Sequence, residues 1–109
     1  MRIWHETLIK KLCSKHLLAM WREGLGAYSI IMNDKKGYSN HPAVVEFKPR
    51  PDKLWERLRL VRKEAIKRGY NFKELPEPPS RPYRGACTLW QSLEKQKEVL
   101  RSKKCDCNV

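Results

Sequence analysis

The stretch from Leu17 to Met32, LLAMWREGLGAYSIIM, constrains the fold more than any other part of this chain. The whole chain is 33% charged, so a segment of this length should carry several charged residues, yet only Arg22 and Glu23 are charged. At about 100° of rotation per residue, its large apolar side chains fall on one side of a helix. They are Leu17, Trp21, Leu25, Tyr28 and Met32. The sequence therefore predicts a long amphipathic helix here.

Glu23 points away from this apolar stripe, toward a helix face made mostly of small residues. Its neighbours on that face are Ala19, Gly26, Ala27 and Ile30. Small residues allow another segment of backbone to approach closely, and carboxylates are rarely buried unless they are paired. Two interpretations stay open: Arg22 and Glu23 are ordinary solvated charges, or Glu23 is placed for a chemical task.

Basic side chains greatly outnumber acidic ones, with 24 Lys and Arg against 12 Asp and Glu, and the net charge is +12. An excess of this size favours a polyanionic partner. The charges are spread along the chain, which favours a folded basic surface over a disordered arm. The sequence has no continuous apolar run typical of a membrane span or a signal peptide. We therefore expect a cytoplasmic protein that does not bind membranes.

The segments before and after the long helix give weaker signals. Residues 1–13 form a mixed N-terminal arm, expected to be irregular, and Ser14 is a candidate N-cap for the long helix. Pro42 suits the first position of a short helix that reaches Phe47. The apolar anchors of the arm are Ile3, Trp4, Leu8, Ile9 and Leu12.

The clearest helical period lies in Asp52–Arg68, and Gly69 is placed to end that helix. Its apolar face consists of Leu54, Leu58, Val61 and Ala65, with Trp55 beside them. The opposite face carries Arg59, Arg62, Lys63 and Lys67. Such a face is either simply solvated or in contact with phosphates.

The C-terminal part of the chain predicts a connector, a helix and a tail. Residues 75–82 contain four prolines and form an extended connector. A last helix is expected over Ala86–Lys103, and residues 104–109 are expected to be frayed. The core side of that helix is Ala86, Leu89, Trp90, Leu93 and Leu100. The prediction is a compact all-α domain, residues 1–109, with about three main helices and long irregular connections.

The four cysteines have irregular spacing and are expected to be reduced thiols. Cys105 and Cys107 form a C-x-C, which is a weak metal-binding signal. Cys13 and Cys87 supply no C-x-x-C to match it, and no histidine lies close to it in sequence. We therefore expect no metal and no other cofactor.

Four short blocks occur here in the order found in a known family. They are the start MRIW, the block HLLAMWRE, the loop GYSNHP followed by VEF, and RGYNF after the charged helix. Over residues 1–72 the chain resembles the pyrimidine-dimer DNA glycosylases of the phage endonuclease V type. The resemblance implies a compact all-α DNA repair enzyme that acts as glycosylase and abasic-site lyase on UV-induced cyclobutane pyrimidine dimers.

The resemblance also implies roles for individual residues. The family's catalytic glutamate corresponds to Glu23, and its nucleophile, the α-amine of the processed N-terminal residue, corresponds to the amine of Met1. Arg2, Arg22 and His16 match family positions, and we expect the two arginines to contact DNA, whereas His16 either contacts DNA or has a capping role. The DNA-binding surface is expected to include also Lys35, Lys36, Asn40 and His41, although Asn40 and His41 also suit a cap for the short helix.

Two departures from the family are visible. Gly26 stands where the phage enzyme has an arginine three residues after its glutamate, and this chain lacks the aromatic-rich tail of the phage protein. Removal of an initiator methionine requires a small second residue, and here that residue is Arg2, so Met1 is expected to be retained.

The implied reaction begins with attack of the neutral amine on C1′ of the damaged nucleotide, passes through an imine and ends in β-elimination. The expected partner is damaged double-stranded DNA, bound by a monomer. Two alternatives remain: a non-catalytic basic module that binds nucleic acid, or a glycosylase of the same mechanism for another base lesion.

Overall fold

In the part of the chain that the structure describes, the fold consists of helices joined by irregular connections. The computed structural model describes residues 2–33, 40–80, 83, 85, 87, 89–103 and 107–109. A 3₁₀ helix is followed by four α-helices. The 3₁₀ helix is Glu6–Lys11, and the α-helices are α1 (Ser14–Met32), α2 (Pro42–Phe47), α3 (Pro51–Lys67) and α4 (Leu93–Ser102). Within the described ranges there is no strand, and the prediction of an all-α fold is confirmed.

The core lies between α1 and α3, which pack against each other along their lengths. A Cβ at Gly24 would lie 2.6 Å from Cδ2 of Leu58, so the glycine lets α3 approach α1 closely. Gly26, also expected to be in close packing, has no neighbouring atom within 4 Å of its Cβ position. Met32, expected on the buried stripe, is 39% exposed. The other members of the predicted stripe, Leu17, Trp21, Leu25 and Tyr28, are buried or partly buried against the core. Met20, Gly24 and Ala27 complete the buried side of α1.

The N-terminal arm is more regular than its sequence indicates, because residues 6–11 form the 3₁₀ helix. The ring of His5 caps that helix by accepting a hydrogen bond from the backbone N–H of Thr7 at 3.2 Å. The predicted anchors are confirmed, since Ile3, Trp4, Leu8, Ile9 and Leu12 are all buried in the common core. The arm is therefore held against α3 by its apolar side chains.

Most helix boundaries agree with the sequence, and the clearest differences are at the starts of α1 and α4. The N-cap of α1 is Cys13 and not Ser14, whose hydroxyl is hydrogen-bonded to that of Tyr70. The short helix α2 begins at Pro42, as predicted. α3 ends within a residue of the expected position, and Gly69 follows it with a φ of 90°, the left-handed conformation that glycine adopts readily.

The last helix is shorter than predicted and begins at Leu93. Its N-cap is Ser92, whose hydroxyl accepts a hydrogen bond from the N–H of Lys95 at 3.1 Å. Leu89 and Trp90 precede the helix and are exposed, so the expected core side is wrong for both residues. Ala86 lies outside the described residues. Leu100 is fully buried and Leu93 is partly buried against the core, so both residues anchor α4 as predicted.

The proline-rich connector has no regular secondary structure over the residues described, and hydrogen bonds hold it to the core helices. The Tyr28 hydroxyl donates to the carbonyl of Glu77 at 2.7 Å. The indole N–H of Trp55 donates to the carbonyl of Pro76 at 2.8 Å. Two core aromatic residues thus fix the path of a segment that lacks internal hydrogen bonds of its own.

Residues 107–109, which belong to the tail that the sequence predicts to be frayed, are anchored. The backbone N–H of Asn108 donates to the carbonyl of Lys11 at 2.8 Å, and the side chains of Cys107 and Val109 pack against the core. Among the described helices, none combines the length and the apolar character that crossing a membrane requires.

Candidate nucleic-acid interface and catalytic centre

Glu23 lies beside the N-terminal end of the chain. The backbone N–H of Arg2 donates a hydrogen bond to Oε2 of Glu23, a half-buried side chain on α1. The arm has therefore folded back onto α1, which is the arrangement that chemistry between the N-terminus and this carboxylate requires. Met1 itself lies outside the described residues, as do Lys35 and Lys36 of the predicted DNA-binding surface.

The side chain of Arg2 is held in place by residues from the C-terminal part of the chain. Its guanidinium lies 4.7 Å from the ring centroid of Trp90 and 5.2 Å from that of Trp4, within cation–π range. It also donates a hydrogen bond to Oε1 of Gln91. This clamp fixes the backbone of Arg2, and hence its N–H, relative to Glu23.

Gln96 links the clamp to α4. It is buried at 6% exposure, and its side-chain carbonyl accepts the backbone N–H of His5 at 2.7 Å. Its amide nitrogen donates to the carbonyl of Gln91 at 3.0 Å. One buried amide thus connects the N-terminal arm with the segment that carries the other half of the clamp, and both of its polar ends are satisfied.

Two charged residues, buried Glu46 and half-buried Arg57, hold the Trp90 segment and the arm in place. The carboxylate of Glu46 accepts the backbone N–H of Trp90 at 3.0 Å. The guanidinium of Arg57 donates to the carbonyl of Trp4 at 3.1 Å and lies over the ring of Phe47. Burial lowers the pKa of Arg57, and the negative charge of Glu46 acts in the opposite direction. Sequence reasoning missed both residues, although an acid inside the apolar run AVVEF is a signal that could have indicated Glu46.

The other predicted DNA-binding residues differ in their surroundings. Arg22 is exposed next to Glu23 and forms no ion pair with any residue that the structure describes. Asn40 is also exposed. His41 caps α2 by accepting the N–H of Ala43 at 3.1 Å, and its ring contacts Trp90 edge-on. Capping, one of the two interpretations of His41, is therefore present in the structure.

The ring of His16 lies next to the sulfur atoms of two cysteines. Its Nδ1 is 3.1 Å from Sγ of Cys13 and 3.2 Å from Sγ of Cys107. Its ring meets Trp4 edge-on, with centroids 6.4 Å apart. Burial, followed by the positive charges of Lys103 and Lys15, lowers the pKa of His16. The sequence signal for this cluster is the Cys13-x-x-His16 spacing, which places two ligand-type side chains on one helical turn.

The basic face of α3 is less available to a polyanion than its sequence indicates. The guanidinium of Arg59 forms an exposed ion pair with Glu56, one turn away on the same helix. Arg62 donates from Nε to the carbonyl of Lys73 at 2.9 Å. These two side chains are already engaged, whereas Lys63 and Lys67 on the same face and Arg22 beside Glu23 are exposed.

The protein is small, basic and all-α, and its N-terminal backbone is held against a carboxylate of α1. The family model described as pyrimidine dimer DNA glycosylase matches residues 1–77. The chain belongs to that family, and its substrate class is DNA. Neither a search of curated proteins nor a search of solved structures gave a significant match. The match ends before Trp90, Gln91 and Gln96, so the C-terminal residues that hold the arm lie outside it.

Proposed function

We propose that this protein removes a base from UV-induced cyclobutane pyrimidine dimers in double-stranded DNA and then cleaves the strand at the abasic site. The nucleophile is the α-amine of Met1, and Glu23 is the carboxylate that assists it. The observation that carries the proposal is the hydrogen bond from the Arg2 N–H to Glu23. In a chain that begins at Met1, three covalent bonds separate the α-amine from that nitrogen, so the amine is tethered close to the carboxylate.

An α-amine suits this role better than a lysine does. Its reference pKa is about 7.7–8.0, well below the value of about 10.4 for lysine, so roughly a tenth or more is neutral at pH 7. Only the neutral amine has the lone pair that attacks C1′. The arm presents this amine on a backbone that is fixed by the Arg2 clamp, which reduces the entropy lost on reaching the reactive geometry.

The reaction balances without a cofactor. The amine nitrogen forms a bond to C1′ while the C1′–N bond to the base breaks. The base leaves C1′ with the bonding pair and takes up a proton, and the cyclobutane ring still joins it to the neighbouring pyrimidine. Loss of the amine proton and opening of the sugar ring give an imine, whose protonated form acidifies the C2′ hydrogens. Removal of one of them breaks the C3′–O bond, and the phosphate leaves with that electron pair. Water then hydrolyses the imine and frees the amine.

Glu23 supports this sequence in two ways. Its negative charge stabilises the positive charge that develops on the sugar as the base departs. Its oxygens also provide an acceptor and a donor for the proton transfers at the amine and at C2′. Exposed Arg22 lies next to it in sequence and contributes a contact to the DNA backbone or a base edge.

Borohydride trapping tests the proposal. The protein is incubated with duplex DNA that contains either a thymine dimer or an abasic site, and borohydride reduces the imine to a stable amine link. We expect a covalent adduct with both substrates, mapping by mass spectrometry to residue 1. An adduct on the abasic site alone would favour a lyase or a glycosylase for another lesion. Binding without any adduct would favour the non-catalytic module.

The same experiment with Glu23→Gln separates the amine from the carboxylate. Glu56→Gln is the matched control, because Glu56 is an exposed glutamate on α3 that pairs with Arg59. We expect adduct formation on dimer DNA to be strongly slowed by Glu23→Gln and unchanged by Glu56→Gln. Equal rates in the two variants would remove Glu23 from the mechanism.

A further inference from the structure

A second cluster of reactive side chains lies away from the Arg2 clamp, where the start of α1 meets the end of the chain. It consists of Cys13, His16 and Cys107, whose ligand atoms all lie within 4.8 Å of one another. We propose that these three residues bind a thiophilic divalent metal ion of the Zn²⁺ class, which acts as a structural clip. This proposal is independent of the proposed glycosylase activity.

The two ligand types are those that zinc prefers, and their geometry is close to what the metal needs. Nδ1 of His16 lies 3.1 Å and 3.2 Å from the two sulfur atoms. Bond lengths of about 2.0–2.1 Å to nitrogen and 2.3 Å to sulfur in a tetrahedral site place such atoms about 3.5 Å apart. An outward movement of a few tenths of an ångström by half-buried side chains therefore admits the ion.

Local structure explains why these residues meet. Cys13 is the N-cap of α1, and His16 is one helical turn further, so the two side chains lie on the same face of the helix. Cys107 is brought to them by its neighbour Asn108, whose N–H donates to the carbonyl of Lys11. The start of α1 thus brings Cys13 and His16 together, and the hydrogen bond from Asn108 to Lys11 brings Cys107 to them.

The surroundings of the sulfur atoms resemble the outer shell of a metal–thiolate site. The backbone N–H of Cys13 points at Sγ of Cys107, 3.1 Å away. Hydrogen bonds of this kind orient thiolate ligands and stabilise their negative charge. The ring of Trp4 packs edge-on against His16 and restricts its rotation. Both contacts hold ligand groups in place before an ion binds.

The local charge also favours a dication bound by two thiolates. Lys15 and Lys103 are the positive groups whose charge acts on His16. Two thiolates, one neutral imidazole and a divalent ion sum to zero, so the lysines do not repel the occupied site. The remaining tetrahedral position is open to a water molecule.

The test measures metal content and metal affinity in the reduced, untagged protein. Zn²⁺ is added as the chloride, and excess ion is removed by gel filtration. Bound zinc is then measured by inductively coupled plasma mass spectrometry. We expect one zinc per chain in the wild type and at least tenfold weaker binding in Cys13→Ser and in Cys107→Ser. Cys87→Ser is the matched control, since Cys87 is a half-buried cysteine outside the cluster, and it should retain the metal.

Cobalt substitution keeps the test valid if Cys13→Ser fails to fold. Tetrahedral Co²⁺ bound to thiolate absorbs visible light strongly, so the wild type and Cys87→Ser should become coloured. Cys107→Ser should stay colourless with an unchanged far-ultraviolet circular dichroism spectrum. Wild-type protein that binds no zinc, or undiminished binding by Cys107→Ser, would overturn the proposal. Recovery of a Cys13–Cys107 disulfide from protein purified under reducing conditions would overturn it as well.

Discussion

Leu58 of α3 occupies the space that a side chain at Gly24 of α1 would need. Its Cδ2 lies 2.6 Å from the position of a Cβ on that glycine, and Leu58 is itself only 1% exposed. Because Gly24 follows Glu23 directly, this contact fixes the rotation of α1 about its axis and therefore the direction in which Glu23 points.

We expect Gly24→Ala to lower the free energy of unfolding and Gly26→Ala to raise it. Overpacking a core position costs about 1–3 kcal/mol, which exceeds the gain of up to about 1 kcal/mol from replacing glycine in a helix. At Gly26 there is no atom within 4 Å to clash with, so only the gain remains. Urea denaturation of both variants measures the difference. Equal stability of the two variants would show that α1 and α3 adjust freely at Gly24.

Glu23→Gln should preserve folding and DNA binding while removing most glycosylase turnover. The amide retains a carbonyl oxygen that can accept the Arg2 N–H, but it has no negative charge to oppose the charge that develops on the sugar. We expect a loss in rate of more than about tenfold, equivalent to about 1.4 kcal/mol of barrier. Single-turnover kinetics on dimer DNA measure this loss. A Gln variant with more than about a tenth of the wild-type rate would contradict the assignment.

One extra residue ahead of Met1 should suppress activity and leave stability unchanged. Such an extension converts the α-amine of Met1 into an amide, which cannot attack C1′, and moves the new amine away from Glu23. The clamp on Arg2 is untouched, so thermal unfolding and non-specific DNA binding should be the same as in the wild type. Mass spectrometry of the intact N-terminus must first confirm that the extension is present. Full activity from such a protein, or a trapped adduct on Lys15, would exclude Met1 as the nucleophile.

Arg22→Ala should weaken binding to damaged DNA more than Arg59→Ala does. Both arginines are on helix surfaces, but Arg59 is already paired with Glu56, whereas exposed Arg22 is next to the proposed centre. A charge-assisted contact to phosphate is typically worth about 1.5–3 kcal/mol, so a loss of about tenfold or more is expected for Arg22. Fluorescence anisotropy with dimer and undamaged duplexes measures both variants. Equal losses would reduce Arg22 to a contribution from general electrostatics.

Affinity for undamaged duplex should fall steeply as salt is added. A net charge of +12 implies several phosphate contacts, and each one contributes about −0.9 to the slope of log affinity against log salt. We expect a slope steeper than about −2, which corresponds to more than two contacts. Titrations at a series of potassium chloride concentrations give this slope. A shallower dependence would argue against a DNA-binding surface of this kind.

Local sequence patterns predicted the parts of the fold that depend on local physics. The apolar period in α3 and the glycine after it gave the helix and its end, because both effects act within a few residues. The start of α4 could not be obtained this way. Trp90 fits the helical spacing of the apolar residues around it in sequence. In the structure its N–H is bound by Glu46 from α2, and Ser92 then caps the helix that follows.

The site shows the same division between local and distant effects. The position of Glu23 among small residues and the family resemblance led to its prediction as the catalytic carboxylate, and the structure places it beside the N–H of Arg2. The Arg2 clamp and the meeting of His16 with Cys107 depend on contacts between opposite ends of the chain, and no periodicity in the sequence encodes which of many polar residues will pair. The glutamines at 91 and 96 are unremarkable until the fold brings them to the arm.

The clamp from the C-terminal segment also fixes an order of events during synthesis. A ribosome delivers Arg2 long before its partner Gln91, which lies 89 residues later in the sequence, and it delivers His5 long before Gln96, which lies 91 residues after it. The core of α1 and α3 can therefore assemble while the arm still lacks its fixed position beside Glu23. The proposed reaction centre is therefore positioned only after the segment that carries Trp90, Gln91 and Gln96 has been made.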